Sequence, residues 1–349
     1  MSRPRAWDGD RPVTWSAWEM EGRVHGGYKL DLPGGETVAT VDGMDPHPAD
    51  RTDHRTEIRG FLAGRRAKIT PERAGLPTSG RRRVPGLRRE EVAVLAGVST
   101  EWYTRLEKGH LSGVSEEVLA AVAQALQLDE DERTYLFDLA RAARARPARR
   151  APSRRGEAAV PPRVQWLLDS MTLSSAFVRN GRQDVIAHNA LARALHTPVF
   201  DSPTTDRHGR PNIARYIFLD PGARDFFVDW DAATAATTAL LRAEAGREPH
   251  DRVLRELIGE LSTLSPEFRG QWAVHDVRIR HDGVKRLRHP EVGELELSYQ
   301  SLDLPLSRRA VHDLTLYTAE PGSTSEERLK LLSGLAATRS GATGPGRLR

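Results

Sequence analysis

The chain has 349 residues, of which 38% are hydrophobic and 29% charged, with a net charge of +4 and a pI near 9.5. That length suits two domains, each with its own core. The absence of cysteine excludes disulfides, thiolate metal sites and cysteine nucleophiles. No apolar run approaches the ~20 residues of a membrane span, and the N-terminus lacks the apolar stretch of a signal peptide, so a cytoplasmic protein is expected.

Residues 1–55 carry no hydrophobic period and are rich in Gly, Pro, Asp and Arg, with Trp7, Trp15 and Trp18 scattered among them. They read as a disordered extension, with a DNA-contacting arm as the alternative. Met44 is a candidate start, which peptides from before it would exclude. Thr56 opens a predicted helix with Ile58, Phe61, Leu62 and Ile69 as its apolar positions, ending near Pro71. The loop PTSGRRRVPG follows, with three consecutive arginines.

The stretch LRREEVAVLAGVSTEWYTRLEKG, residues 87–109, reads as two short helices around a turn. Val92, Ala93, Leu95 and Ala96 recur at helical spacing. Gly97 suits a left-handed turn, and Ser99 supplies an oxygen for the orphan amides of the second helix. Tyr103 and Leu106 can share a core with Val98, and Ala93 is small where the helices must cross. These offsets fit a helix-turn-helix whose second helix lies in a DNA major groove, although such pairs also occur as plain packing units. Residues 115–126 form a further helix capped by Ser115, with an apolar face of Val118, Leu119, Val122 and Leu126. Residues 130–145 give a fifth, with Tyr135, Leu136 and Leu139. An all-α domain over 56–145 is therefore expected, followed by an Arg/Pro-rich linker over 146–159.

The second half changes character. Asn180-Gly181 separates two β-like runs, a hairpin signal. A short helix over 190–195 leads into irregular chain as far as Asp220-Pro221-Gly222. Helices are predicted over 223–245, stopped by Gly246, over 250–264, and from Ser265-Pro266 through Trp272. Strands follow near 276–280, 284–289 and 293–301, with Asp282-Gly283 as the first turn, then near 313–318. A helix from Ser325 to about Ala337 and a disordered end close the chain. Hairpin, helical middle and antiparallel meander make an α+β domain over 160–325, with the C-terminal helix and tail at 326–349.

The stretch VAVLAGVSTEWYTRLEKG resembles the helix-turn-helix of Xre-family transcriptional regulators. In the second half, DVIAHNALARAL, ARYIFLDPGARDFFVDW, ELSTLSPEFRGQWAVHDVR, KRLRHPEVGELELSY and LYTAEPGS resemble the ligand-binding domain of MmyB-like regulators, and the element order is similar to that of a PAS-type sensor. The resemblance covers about residues 56–325. It implies a multidomain fold in which a five-helix DNA-binding domain precedes a PAS-like domain with an antiparallel sheet. It also implies a partner in double-stranded DNA and an apolar-ligand pocket, with fatty acids a proposed ligand class. A homodimer is expected, with no cofactor and no metal.

For DNA, Ser99, Thr100, Glu101, Trp102, Thr104 and Arg105 lie at the start and on the exposed side of the second helix. Arg105 could read guanine or bind phosphate. Glu101 could accept from a cytosine amine or simply favour the helix N-terminus. Trp102 could contact a thymine methyl or sugar, or cover a domain edge. Arg89 stands where Xre proteins often place a polar residue near the first base. Glu107 reads as an intradomain ion-pair partner. Arg81, Arg82, Arg83, Arg88 and Arg89 form a basic patch for phosphate, or else a solvated loop. For the ligand, Phe177, Phe226, Trp230, Trp272 and Tyr299 lie on predicted core faces, where an aromatic stripe is more often core than pocket. His188, Asn189, His275, Arg278 and His289 are candidate anchors for a carboxylate. An enzyme reading would rest on His275-Asp276, His281-Asp282 and His289, which lack helical metal-ligand spacing, so catalysis is not expected. The rival binding readings are a weakly specific nucleoid-type protein, and a second domain that serves dimerisation or partner binding without a ligand.

Overall fold

A computed structural model describes residues 48–342 apart from 78–83, 85, 112, 145–159, 206–208 and 307–310. Its first helix, α1 (Pro48–Lys68), begins nearly three turns before the apolar period, which starts at Ile58. Pro48 at the first position lacks only an N–H that has no helical partner there. The next residues are polar, so no hydrophobic stripe announced them. Disorder was expected over residues 1–55, but from Pro48 on that stretch is the start of α1; residues 1–47, the Arg/Pro-rich linker and the end of the C-terminal tail fall outside the described residues.

The helix-turn-helix consists of α2 (Arg89–Leu95) and α3 (Thr100–Glu107). Gly97 takes φ +66° between them, and the Val98 amide donates to the Ala93 carbonyl at 2.9 Å. That backbone favours glycine, because a Cβ there is crowded by its own chain. Ser99 caps α3 by accepting from the Trp102 amide at 3.1 Å. Ser115 caps α4 (Glu116–Ala125), and α5 (Glu130–Arg144) completes the domain. Ile58, Phe61, Leu62, Val92, Ala93, Tyr103, Leu106, Leu119, Val122, Leu136 and Leu139 are buried in one core. All five helices therefore contribute, and the small Ala93 sits where α2 meets α3.

The second domain runs α6 (Pro162–Ser170), β1 (Ser175–Arg179), β2 (Val185–His188), α7 (Ala190–Leu195), α8 (Thr197–Phe200), α9 (Ile213–Leu219), α10 (Ala223–Phe226), α11 (Trp230–Arg247), α12 (Arg252–Leu264), α13 (Pro266–Ala273), β3 (Asp282–His289), β4 (Gly293–Pro305), β5 (Val311–Thr318) and α14 (Thr324–Ala342). The five strands make an antiparallel sheet in the order β2-β1-β5-β4-β3. Its inner face carries Phe177, Leu287, Leu295, Leu297 and Tyr317 against the helices. Its outer face carries Val178, Ala187 and Leu314 against Val164 and Leu168 of α6. Alternation along each strand thus serves two cores.

Four sequence expectations are corrected. The stretch before Asp220, expected to be irregular, contains α8 and α9, which are too short to show a helical period. The single helix over 223–245 is two helices. Between them Phe227 bridges Leu287 and the Val228 amide donates to the Arg286 carbonyl at 3.1 Å, so the chain leaves the helix to extend the sheet edge. Gly246 does not stop α11, which runs to Arg247; the missing side chain is filled by the Tyr135 ring, since a Cβ would lie 2.5 Å from its Cε2. Residues 276–280 are not a strand, and Asp282-Gly283 opens β3 instead of turning.

That last stretch docks on the first domain. Val277 is 1% exposed within the helix-turn-helix core. The Ile279 amide donates to the Asp131 carboxylate at 2.9 Å, and Arg278 pairs with Asp129 at 3.1 Å. Arg65 of α1 holds Glu132 of α5 and donates to Asp276 and the His275 carbonyl, each at 3.2 Å. Arg242 of α11, fully buried, pairs with Glu57 of α1 and donates to the Trp272 carbonyl. Burial pulls its guanidinium down to about 9, still charged at neutral pH. Glu57 also accepts from the Tyr135 hydroxyl at 2.6 Å.

Candidate nucleic-acid interface and second-domain interior

The capped N-terminus of α3 presents its polar residues outward. Glu101 and Arg105 are exposed, while Thr100, Trp102 and Thr104 are half-buried. Among the described residues no carboxylate pairs with Arg105. Its guanidinium is free to meet a base edge or phosphate. Trp102 packs against the domain core with part of its ring uncovered, so it both covers a domain edge and borders the exposed face. The Ser99 hydroxyl is occupied as the cap of α3.

Arg88 and Arg89 differ. Arg88 is exposed, and its amide donates to the Glu91 carboxylate at 2.6 Å, which fixes the start of α2. Arg89 is held by Glu107, and that bond raises its pKa. Glu107 is buried, and it also accepts from Arg66 at 2.9 and 3.2 Å. Two guanidiniums therefore compensate one buried carboxylate where α1, α2 and α3 meet, which limits how far Arg89 can reach. Arg81, Arg82 and Arg83 lie outside the described residues.

In the second domain, Phe177, Phe226 and Tyr317 come together around His196, which sequence reading missed, and Tyr299 meets Tyr317 at 6.2 Å. The His196 ring lies 5.3 Å from Phe177, 5.1 Å from Tyr317 and 6.1 Å from Phe226. Burial pulls its pKa down to about 3, so it is neutral, with Nδ1 3.3 Å from the Ala192 carbonyl. Trp230 is half-buried and donates to the Ile217 carbonyl at 3.2 Å, with the Arg224 guanidinium 3.7 Å above its ring. Trp272 stacks on Phe268 at 5.4 Å on one side and meets Arg242 at 4.0 Å on the other. It therefore joins this interior to the domain boundary.

The polar candidates divide into two groups. Asn189 accepts from the Ala176 and Ala192 amides and donates to the Met171 and Ser174 carbonyls, which occupies both ends of its amide. His289 is buried between the Ala194 carbonyl, 2.9 Å from Nε2, and the Glu291 amide, which donates to Nδ1 at 3.1 Å. His188 meets Phe200 edge-on at 4.7 Å, its Nδ1 lies 3.2 Å from the Asn189 carbonyl, and burial lowers its pKa. These three side chains hold the fold together locally. His275 and Arg278 belong to the other group and face the helix-turn-helix domain. The His275 ring lies against Gly60, in space a Cβ would fill. Arg242, Glu57, Arg65 and Glu132, the charged frame of the boundary, also escaped sequence reading. A lone arginine in the small-residue run AATAATTALLRAEAG was the available signal.

Among the described residues no group of three or more His, Cys, Asp or Glu side chains could hold a metal ion. No helix in them is long and apolar enough to cross a membrane. A capped helix-turn-helix with an exposed arginine on its outer face, joined through a shared boundary to an α+β domain, defines a DNA-binding regulator class. Residues 58–136 match a helix-turn-helix domain family, and residues 160–332 match the MmyB-like transcription regulator ligand binding domain. The chain is thus a helix-turn-helix transcription regulator with an MmyB-like ligand-binding domain, and both matched families are regulator domains rather than enzymes. No curated protein matches it.

Proposed function

We propose that the chain is an Xre-type regulator acting in the cytoplasm as a homodimer, reading double-stranded DNA through α3 and responding to a small apolar ligand. Fatty acids are the ligand class to examine first. The ligand would lie between the sheet and the helices of the second domain, whose strand order, with helices inserted after the first hairpin, supports a PAS-like reading. Arg105 is assigned to base readout, with Thr100, Glu101 and Thr104 beside it. Arg88 and the arginines at 81–83 are assigned to phosphate.

The observation that carries this reading is the insertion of Val277 into the helix-turn-helix core. The chain runs directly from α13, packed in the ligand-binding domain, across the first domain and into β3. A ligand that moves α13 or β3 therefore acts on the packing of α1 and α5. Such a ligand shifts DNA affinity only by its differential binding to two arrangements of this boundary. In a dimer, the sensitive quantity is the spacing of two recognition helices about one turn (~34 Å) apart.

Native mass spectrometry of freshly purified full-length protein, followed by extraction of bound small molecules, tests the proposal. A dimer releasing an apolar acid supports it. Protein without cargo that also fails to bind added fatty acid turns the second domain into a dimerisation or partner surface.

A further inference from the structure

Lys285 is one of only five lysines in a chain with 52 cationic residues. It lies on β3 in register with Leu297 of β4, and shares the inner face of the sheet with Leu287 two residues on. The position is half-buried, and among the described residues no carboxylate pairs with its ammonium. Instead the nitrogen lies 4.9 Å from the Tyr299 ring centre and 5.9 Å from that of Tyr317. Lys285 is also among the charges that depress His196, which places its charge beside the aromatic interior.

The surroundings are short of compensating negative charge. Arg280 follows the docked stretch, its carbonyl accepts weakly from the Tyr299 hydroxyl at 3.4 Å, and no carboxylate pairs with its guanidinium among the described residues. Arg179 also acts on Tyr299, but Asp313 holds it at 3.2 Å. The carboxylate nearest in sequence, Asp282, acts on Tyr299 from an exposed position at the start of β3 and makes no ion pair with Lys285 among the described residues. A lysine serving only to cover a ring carries its ammonium outward along a greasy stem. Here the ammonium stays over two tyrosine faces at the rim of the apolar core, where the tyrosines offer π-density but no formal charge.

We propose that Lys285 receives the acidic head group of an amphipathic anion whose chain lies along Tyr299 and Tyr317 on the inner face of the sheet. This rests on the ligand-binding reading above and adds to it one anchor for the head group. It assigns that role to none of the five polar residues singled out from sequence, three of which are occupied within the fold and two of which face the other domain. Arg280 adds charge at the rim. The Tyr299 hydroxyl, bonded only weakly, is available to donate to the same anion.

The test uses the full-length chain with decanoate and 1-decanol below their aggregation limits, followed by titration calorimetry. Wild type should bind decanoate at least about ten times more tightly than decanol, since a charged hydrogen bond commonly contributes one to two orders of magnitude. Lys285→Met should lose that preference and retain decanol affinity, and Lys285→Arg should restore most of it. Equal decanoate binding by wild type and Lys285→Met overturns the assignment while leaving an apolar site intact. Binding of neither compound overturns the ligand-binding reading and the assignment together. Should Lys285→Met fail to fold, wild type labelled with 13C-methyl groups on its lysines gives the answer. One lysine resonance, assigned to Lys285 by its loss in Lys285→Arg, should move with decanoate and not with decanol. An unmoved resonance overturns the proposal.

Discussion

Arg242 and Glu57 stand 185 residues apart and form an ion pair across the domain boundary, with the guanidinium fully buried. The same carboxylate accepts from Tyr135, and the same guanidinium donates to the Trp272 carbonyl and covers the Trp272 ring. One contact therefore touches α1 and α5 of the DNA-binding domain and α11 and α13 of the ligand-binding domain.

Removing only one partner of that pair leaves a buried charge uncompensated. Arg242→Met should cost about 3–5 kcal/mol in chemical denaturation. Adding Glu57→Leu should recover part of the loss, giving a clear coupling in the double-mutant cycle. Additive losses would show that the two side chains do not interact in solution.

Gly246→Ala sets two effects against each other. Alanine favours helix over glycine by about 1 kcal/mol. Its Cβ, however, would lie 2.5 Å from the Tyr135 ring, inside the boundary, and overpacking of this kind costs about 1–3 kcal/mol. The net effect should be destabilisation, with faster proteolysis between the domains. A rise in melting temperature would mean that the helices are farther apart than described.

Glu107 has the corresponding role inside the helix-turn-helix. Glu107→Ala should destabilise the first domain by about 1.5–3 kcal/mol, because Arg66 and Arg89 lose their shared carboxylate, while the half-exposed Arg89 can turn to water. Arg89→Ala should weaken DNA binding less than Arg105→Ala, because Arg89 is tied to Glu107 and Arg105 pairs with no carboxylate among the described residues. Arg105→Ala should also relax selectivity at one base pair, whereas Arg82→Ala should weaken all sequences alike and flatten the salt dependence. The reverse pattern in binding titrations would exchange these roles.

Acid should act through His196. Its folded pKa is depressed from the ordinary value of 6.5 to about 3 by burial. Between those values the unfolded chain binds more protons than the native one, so stability rises with pH there. The contribution is present in full above about pH 6.5 and is lost as pH falls toward 3. His196→Phe should flatten denaturation midpoints across that window, and an unchanged slope would show that the ring is solvated.

The helix-turn-helix was legible because its signals are local: the Gly97 turn, the Ser99 cap and the apolar offsets of Val92, Tyr103 and Leu106 lie within fifteen residues. Ser115 and the Asn180-Gly181 hairpin were legible for the same reason. Short elements such as α8 and α9 were not, since four to seven residues span too little of a helical period. The 276–280 stretch alternates like a strand, yet it is recruited by Asp129 and Asp131 from another domain. Arg242 and Lys285 were overlooked because an isolated cation carries no pattern until its distant partners, or their absence, are visible. The histidines were named for their chemistry, and for His188 and His289 that chemistry serves backbone hydrogen bonds.

Sequence-specific DNA binding is the claim on which the rest depends, and selection from random duplexes with the full-length protein tests it directly. The enriched duplex and a scrambled copy should be titrated at one fixed salt concentration. The enriched duplex should be preferred by at least about 1,000-fold, and Arg105→Ala should lose most of that preference. Equal affinity for the two duplexes would contradict that claim and leave a binder of DNA backbone without sequence choice.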